Sequence, residues 1–125
     1  MEVEAVMTSP VKDRMWYSAM AVFVVRIGDS SKGHIQRSVY LVRATDFDDA
    51  LSTVIARARR DEEAYKNCDD EWVRWMLADI ETLDQLGDGI EDGREVYSEP
   101  RFDIPLDSYA FPFKPENAKP TYSGV

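Results

Sequence analysis

The sequence predicts an α+β fold: an antiparallel four-stranded sheet built in the chain order strand-strand-helix-strand-strand, with one helix packed on one face and an irregular C-terminal tail. Three observations carry this expectation. Two apolar stretches rich in β-branched and aromatic residues, 16–27 and 35–44, flank a run of turn formers. A third stretch, 47–58, repeats its apolar residues every three or four positions, and five of the six prolines lie at or beyond residue 100. A chain of 125 residues has room for one core, so we read 15–99 as a single domain between a loose extension, 1–14, and a Pro- and aromatic-rich tail, 100–125.

The first strand opens at Trp16. Tyr17, Ala19, Ala21, Phe23, Val25 and Ile27 occupy every odd position, as a strand with a buried face requires, and most even positions are apolar too. Gly28-Asp29-Ser30-Ser31-Lys32-Gly33 interrupts the pattern, and Val39 to Val42 lie at the heart of the segment that resumes it, which makes the pair a hairpin. Thr45 followed by Asp48 is a variant capping box, so a helix should start there, with the acid favoured by the helix dipole. Phe47, Ala50, Leu51, Val54, Ile55 and Ala58 form its apolar stripe. In Glu71–Leu83, Trp72, Met76 and Ile80 share a face under either a helical or an alternating period; the tryptophans, Val73 and Ile80 favour a strand. Turn residues from Gly87 to Gly93 then lead to Val96 and Tyr97, read as a last short strand.

Charge is the composition signal with functional content. The net charge is -9, from 15 basic and 24 acidic residues. Thirteen of the acids lie between Asp61 and Glu95 against three bases, a local net of -10, while the remainder is nearly neutral. Such a balance argues against nucleic acid as partner, since phosphates demand the opposite sign. No apolar run approaches the roughly 18 residues that span a bilayer, and the single cysteine, Cys68, cannot form an internal disulfide. The expectations are a cytoplasmic location and no membrane partner.

The chemical motifs are weak. Asp84, Asp88, Gly89, Asp92 and Glu95 match part of a calcium-binding loop, but Leu86 takes a ligand position and Pro100 follows too soon for an exiting helix. Gly28 and Gly33 have the outer spacing of a phosphate-cradling loop, with His34 where lysine belongs. His34 is the only histidine, which excludes a His-rich metal site, and the acids around Cys68 oppose a thiolate. Asp79 and Glu81 could be written as an acid/base pair, yet pairs arise freely among 24 acids. Trp72 and Trp75 read as core or interface. Neither a catalytic residue, a metal nor a cofactor is expected.

Five segments in order resemble a family of short bacterial proteins known as a domain of unknown function, number four thousand two hundred and eighty-eight. They are Trp16-Tyr17-Ser18-Ala19; Tyr40-Leu41-Val42-Arg43-Ala44; Glu62-Glu63-Ala64-Tyr65-Lys66-Asn67; Val73-Arg74-Trp75; and Asp92-Gly93-Arg94-Glu95-Val96-Tyr97-Ser98. The resemblance spans 16–98, implies the order strand-strand-helix-strand-strand, and places the segment around Trp75 in a strand. Met76-Leu77 departs from the family, which usually has a basic residue and then an aromatic after Trp75.

One helix covers one face of such a sheet. The other face carries Trp16, Met20, Val22 and Val24 or their odd-numbered neighbours, an apolar patch not normally left wet. The expected cover is the tail, through Phe102, Ile104, Leu106, Tyr109, Phe111 and Phe113, with a homodimer as the alternative. The expected function is a non-catalytic acidic module that docks a basic protein, of which an immunity or antitoxin-type inhibitor of a nuclease-like protein is the concrete version. Its contact residues would be Asp69, Asp70, Glu71, Asp84, Asp88, Glu91 and Asp92, expected in two loops at the ends of the strand read over 71–83. The alternatives are a small-molecule or enzymatic pocket between sheet and tail, using Trp75, Tyr97 or an acid, and a homo-oligomeric scaffold.

Overall fold

Strand β1 (Met15–Ile27) lies at the centre because its sequence is apolar on both faces; seven consecutive residues, Tyr17 to Phe23, are buried. In the computed structural model, which describes residues 13–29 and 32–124, it is flanked by β2 (Gly33–Ala44) and β4 (Trp72–Gly87), and a short β3 (Glu63–Lys66) completes an antiparallel sheet of order β2-β1-β4-β3. Most of the extension read at 1–14, and Ser30 and Ser31 of the hairpin turn, lie outside the described residues.

The hairpin runs from Met15 opposite Ala44 to Arg26 opposite Gly33. Gly33 is obligatory: a Cβ there would sit 2.0 Å from the Val25 carbonyl oxygen, at φ +145°. Helix α1 (Phe47–Arg59) starts one residue later than the capping box predicted. Asp46 is the cap, accepting from the Asp49 N–H at 2.8 Å, while the Asp49 carboxylate reaches back to accept from the Thr45 N–H at 2.9 Å. The expected stripe is only half used. Ala50, Val54 and Ala58, spaced by four, are fully buried, whereas Phe47 and Leu51 stay exposed.

These small residues let the helix approach closely. They pack on Tyr17, Ala19, Ala21 and Phe23 of β1, on Val42 and Ala44 of β2, and on the partly buried Ile80, Leu83 and Leu77 of β4. Thirteen residues make the helix about 20 Å long, shorter than the strands it lies on, so it leaves part of the sheet uncovered.

Two strand expectations require correction. The segment expected over 71–83 continues to Gly87, broken by register shifts at three places against β1. The fourth strand is β3, not Val96–Tyr97. Glu63–Lys66 is exposed at all four positions because it pairs on one side only, at the sheet edge, and so has no apolar alternation to announce it. Val96 and Tyr97 are half-buried but join no ladder.

The open face is covered differently from the expectation. Phe102, Leu106 and Phe111 are 86%, 97% and 94% exposed, and Tyr109 and Phe113 are exposed too, so of the tail residues expected to cover the sheet only Ile104 is half-buried. The closely spaced prolines of the tail limit it to two single-turn 3-10 segments and irregular chain. Instead, Arg37 of β2 extends across Val22 of β1 to Glu81 of β4 (2.9 Å) and to Glu99 (3.6 Å). Hydrogen bonding to Glu81, then its charge and that of Glu99, holds the guanidinium above its ordinary value. On this face Ser18, Met20 and Val22 are buried, while Ile35, Val39, Leu41 and Met76 remain exposed.

Candidate functional site

The acidic residues singled out from the sequence fall on two turns at opposite ends of β4. Asp69, Asp70 and Glu71 precede it, in a turn organised by Asn67. The Asn67 carboxamide oxygen accepts from the N–H groups of Asp69 (2.9 Å) and Glu71 (3.0 Å), and the Asn67 N–H donates to the Glu71 carbonyl (2.9 Å). Asp70 takes the left-handed conformation, φ +61°, that Asp tolerates better than most residues. Cations already partner this turn: Lys66 lies 3.3 Å from Asp70 and Lys32 lies 3.7 Å from Glu71.

At the far end Asp84 stands within the strand, opposite Ser18, and Asp88, Glu91 and Asp92 follow Gly87. The Arg94 N–H donates to the Glu91 carbonyl at 3.0 Å, and the Arg94 guanidinium donates to the Leu86 carbonyl, folding the turn back against the strand. Between them lies a cleft of about 540 Å³ lined by Asp84, Leu86, Arg94, Glu95 and Tyr97 among others. Among the described residues no ion pair involves Asp84, Asp88, Glu91 or Asp92.

The structure does not bring the two turns together. Glu71 and Asp84, the nearest members of the two groups, are 13 positions apart along the chain of β4, roughly 40 Å at about 3.3 Å per residue. A standard interface of about 800 Å² per partner is roughly 30 Å across, so one such contact reaches one turn and not both.

A separate cleft of about 310 Å³ opens on the helix side of the sheet, beyond the end of α1, and sequence reasoning did not foresee it. It is lined by Phe23, Ser38, Tyr40, Trp75, and by Asp61, Glu63 and Tyr65 from the chain that leaves the helix and enters β3. Register explains the set: Glu63 lies opposite Trp75, Trp75 opposite Val25, and Phe23 two residues before Val25 on the same face. The Tyr40 hydroxyl donates to the Asp61 carboxylate. Burial, then that hydrogen bond and the charge of Asp61, push Tyr40 up to about 12. Trp75 packs against Phe23 (6.1 Å between ring centroids) and against His34 (6.2 Å). The only signal that would have found this site is the edge strand β3, which has no apolar period. Trp75 and Tyr97, each named as a candidate for the alternative pocket, line different clefts.

The remaining motifs find structural places. Cys68 is exposed in the Asn67 turn. Glu81 holds Arg37 rather than facing Asp79 as an acid/base partner. Asp84 belongs to a strand, so the calcium-loop match lacks its entering helix. Among the described residues no group of three or more His, Cys, Asp or Glu side chains could hold a metal ion, and no helix is long and apolar enough to cross a membrane.

No curated protein and no solved structure matches the chain. A family match, however, covers residues 16–98, from the start of β1 to the segment beyond the Arg94 turn. Across these two thirds of its length, the chain belongs to the family described as Domain of unknown function (DUF4288).

Proposed function

We propose that this protein is a non-catalytic acidic module that docks a basic protein surface, with Asp84, Asp88, Glu91 and Asp92 as the principal contact. The observation that carries this reading is the contrast between the two turns. Asp70 and Glu71 sit beside Lys66 and Lys32, whereas the four acids at the far end have no ion-pair partner among the described residues. A negative patch of that kind speeds encounter with a basic partner and rejects acidic ones. Asp69, Asp70 and Glu71 form a second, weaker contact for a larger partner. The concrete version is an immunity or antitoxin-type inhibitor, whose carboxylates occupy the phosphate positions of a nuclease-like protein.

Affinity capture from the source cell at low and high salt tests this, followed by titration of the recovered partner. The expected outcome is a stoichiometric basic protein released at high salt. Its affinity should fall more than tenfold when Asp84, Asp88, Glu91 and Asp92 are changed to Lys, and less when Asp69, Asp70 and Glu71 are. Capture of no basic protein, or an affinity indifferent to both sets of reversals, would overturn the reading.

A further inference from the structure

We propose that the helix-side cleft formed by Tyr40, Tyr65, Trp75, Asp61 and Glu63 is a binding site for an organic ammonium group. The inference is independent of the docking surface, since Trp75 and Asp84 are nine positions apart along β4 and line different clefts.

The three tryptophans make the case. An aromatic face attracts a cation held within about 6 Å of its centroid. Trp16 has the Arg43 guanidinium at 5.6 Å, and Trp72 has both Lys66 and Arg74 at 5.6 Å. Trp75 differs. Among the described residues no lysine or arginine lines its cleft or stands over its ring; its ring neighbours are Phe23 and His34. The pleat accounts for this, because Arg74 is adjacent in sequence and therefore points to the opposite face, where it joins Trp72. Arg59, the last residue of the nearby helix, is 3.6 Å from Glu62 and is not part of the lining.

The remaining lining has the matching chemistry. Tyr40 and Tyr65 supply two further aromatic rings, and Asp61 and Glu63 supply two carboxylates at the rim, both exposed. Asp61 is held in place by the Tyr40 hydroxyl, which donates to one of its oxygens and leaves the other for a ligand. The C-terminal end of α1, negative through its dipole, lies two residues before Asp61. Aromatic rings with carboxylates and no resident cation are the composition that recognises alkylated ammonium groups. The cleft, at about 310 Å³, is at the small end of the range for ligand pockets, which suits a compact headgroup or the end of one side chain.

The test uses the full-length protein and follows the Trp75 indole N–H signal by NMR, assigned with Trp75→Phe. Three probes are titrated: choline, its neutral isostere 3,3-dimethylbutan-1-ol, and Nα-acetyl-trimethyllysine methylamide. Saturable shifts are expected with the two cations, and binding of the alcohol should be about tenfold weaker. The tighter of the two cations tells whether the natural ligand is a free small-molecule ammonium ion or a protein side chain. Tyr65→Leu should weaken cation binding about fivefold and Tyr65→Phe should restore it, while Glu63→Gln weakens the cations without affecting the alcohol. Both positions are exposed, so the variants are expected to fold, which the dispersion of the same spectra reports. Equal binding of choline and the alcohol, saturable shifts with neither cation, or shifts indifferent to Tyr65→Leu would overturn the proposal. None of these outcomes depends on the acids at the far end of β4.

Discussion

The two faces of the central strand β1 are buried by different means. On the helix side, Ala19, Ala21, Ala44, Ala50 and Ala58 are fully buried, and close approach of small side chains excludes water around Tyr17 and Phe23. On the open side no α-helix or second sheet is present among the described residues, and the irregular chain at Glu99 comes to within 3.6 Å of Arg37. There Ser18, Met20 and Val22 lie between cross-strand neighbours on β2 and β4, and the Arg37 arch to Glu81 crosses Val22. The comparison teaches that burial in a central strand can come from cross-strand side chains as well as from a packed layer. It also shows the cost: the hydroxyl of Ser18, on a residue with no exposure, and that of Thr82 find no hydrogen-bond partner among the described residues.

The sharpest way to break this contrast is on the helix side. Phe23→Ala removes a ring that is 1% exposed and should lower stability by about 3–5 kcal/mol, read as a shift in the urea midpoint. A change below about 1 kcal/mol would mean that this face is no better packed than the other. The opposite sign is expected on the open side. Ser18→Ala deletes a buried hydroxyl with no partner and should raise stability by about 1 kcal/mol, the desolvation penalty it relieves. Loss of stability instead would show that the hydroxyl is satisfied in solution.

A smaller effect sharpens the comparison at the cleft. Tyr40 holds its proton more tightly in the fold, at about 12, than at its ordinary value of 10.0, because of burial first and then the Asp61 hydrogen bond. That contribution is fully present below about pH 10 and is lost as the pH rises through about 12. Urea midpoints followed into that range should therefore fall less steeply for Tyr40→Phe than for the parent protein. Equal slopes would show that the Tyr40 to Asp61 hydrogen bond does not persist in solution.

Much of the frame was legible from residues alone. The alternation in 16–27 and 35–44 fixed the hairpin, because a strand buried on one or both faces must carry apolar residues at a period of two. The helix was legible for the same reason at its own period. Strand β3 was not: Glu63, Ala64, Tyr65 and Lys66 are all exposed, and an edge strand held by one ladder needs no apolar signature. The tail misled in the other direction, since its aromatics suggested a cover for the open face but stay exposed.

The sequence by itself determined the class of fold, the order of its elements and the concentration of negative charge between Asp61 and Glu95. These follow from periodicity and composition, which are local properties of the chain. Tertiary structure alone decided that one of the two acidic loops sits beside lysines and the other does not. It alone placed Tyr40, Asp61, Tyr65 and Trp75 around one cleft. Both outcomes depend on strand register and on where the helix stops, which are set by the packing of residues distant in sequence and leave no mark on any single segment.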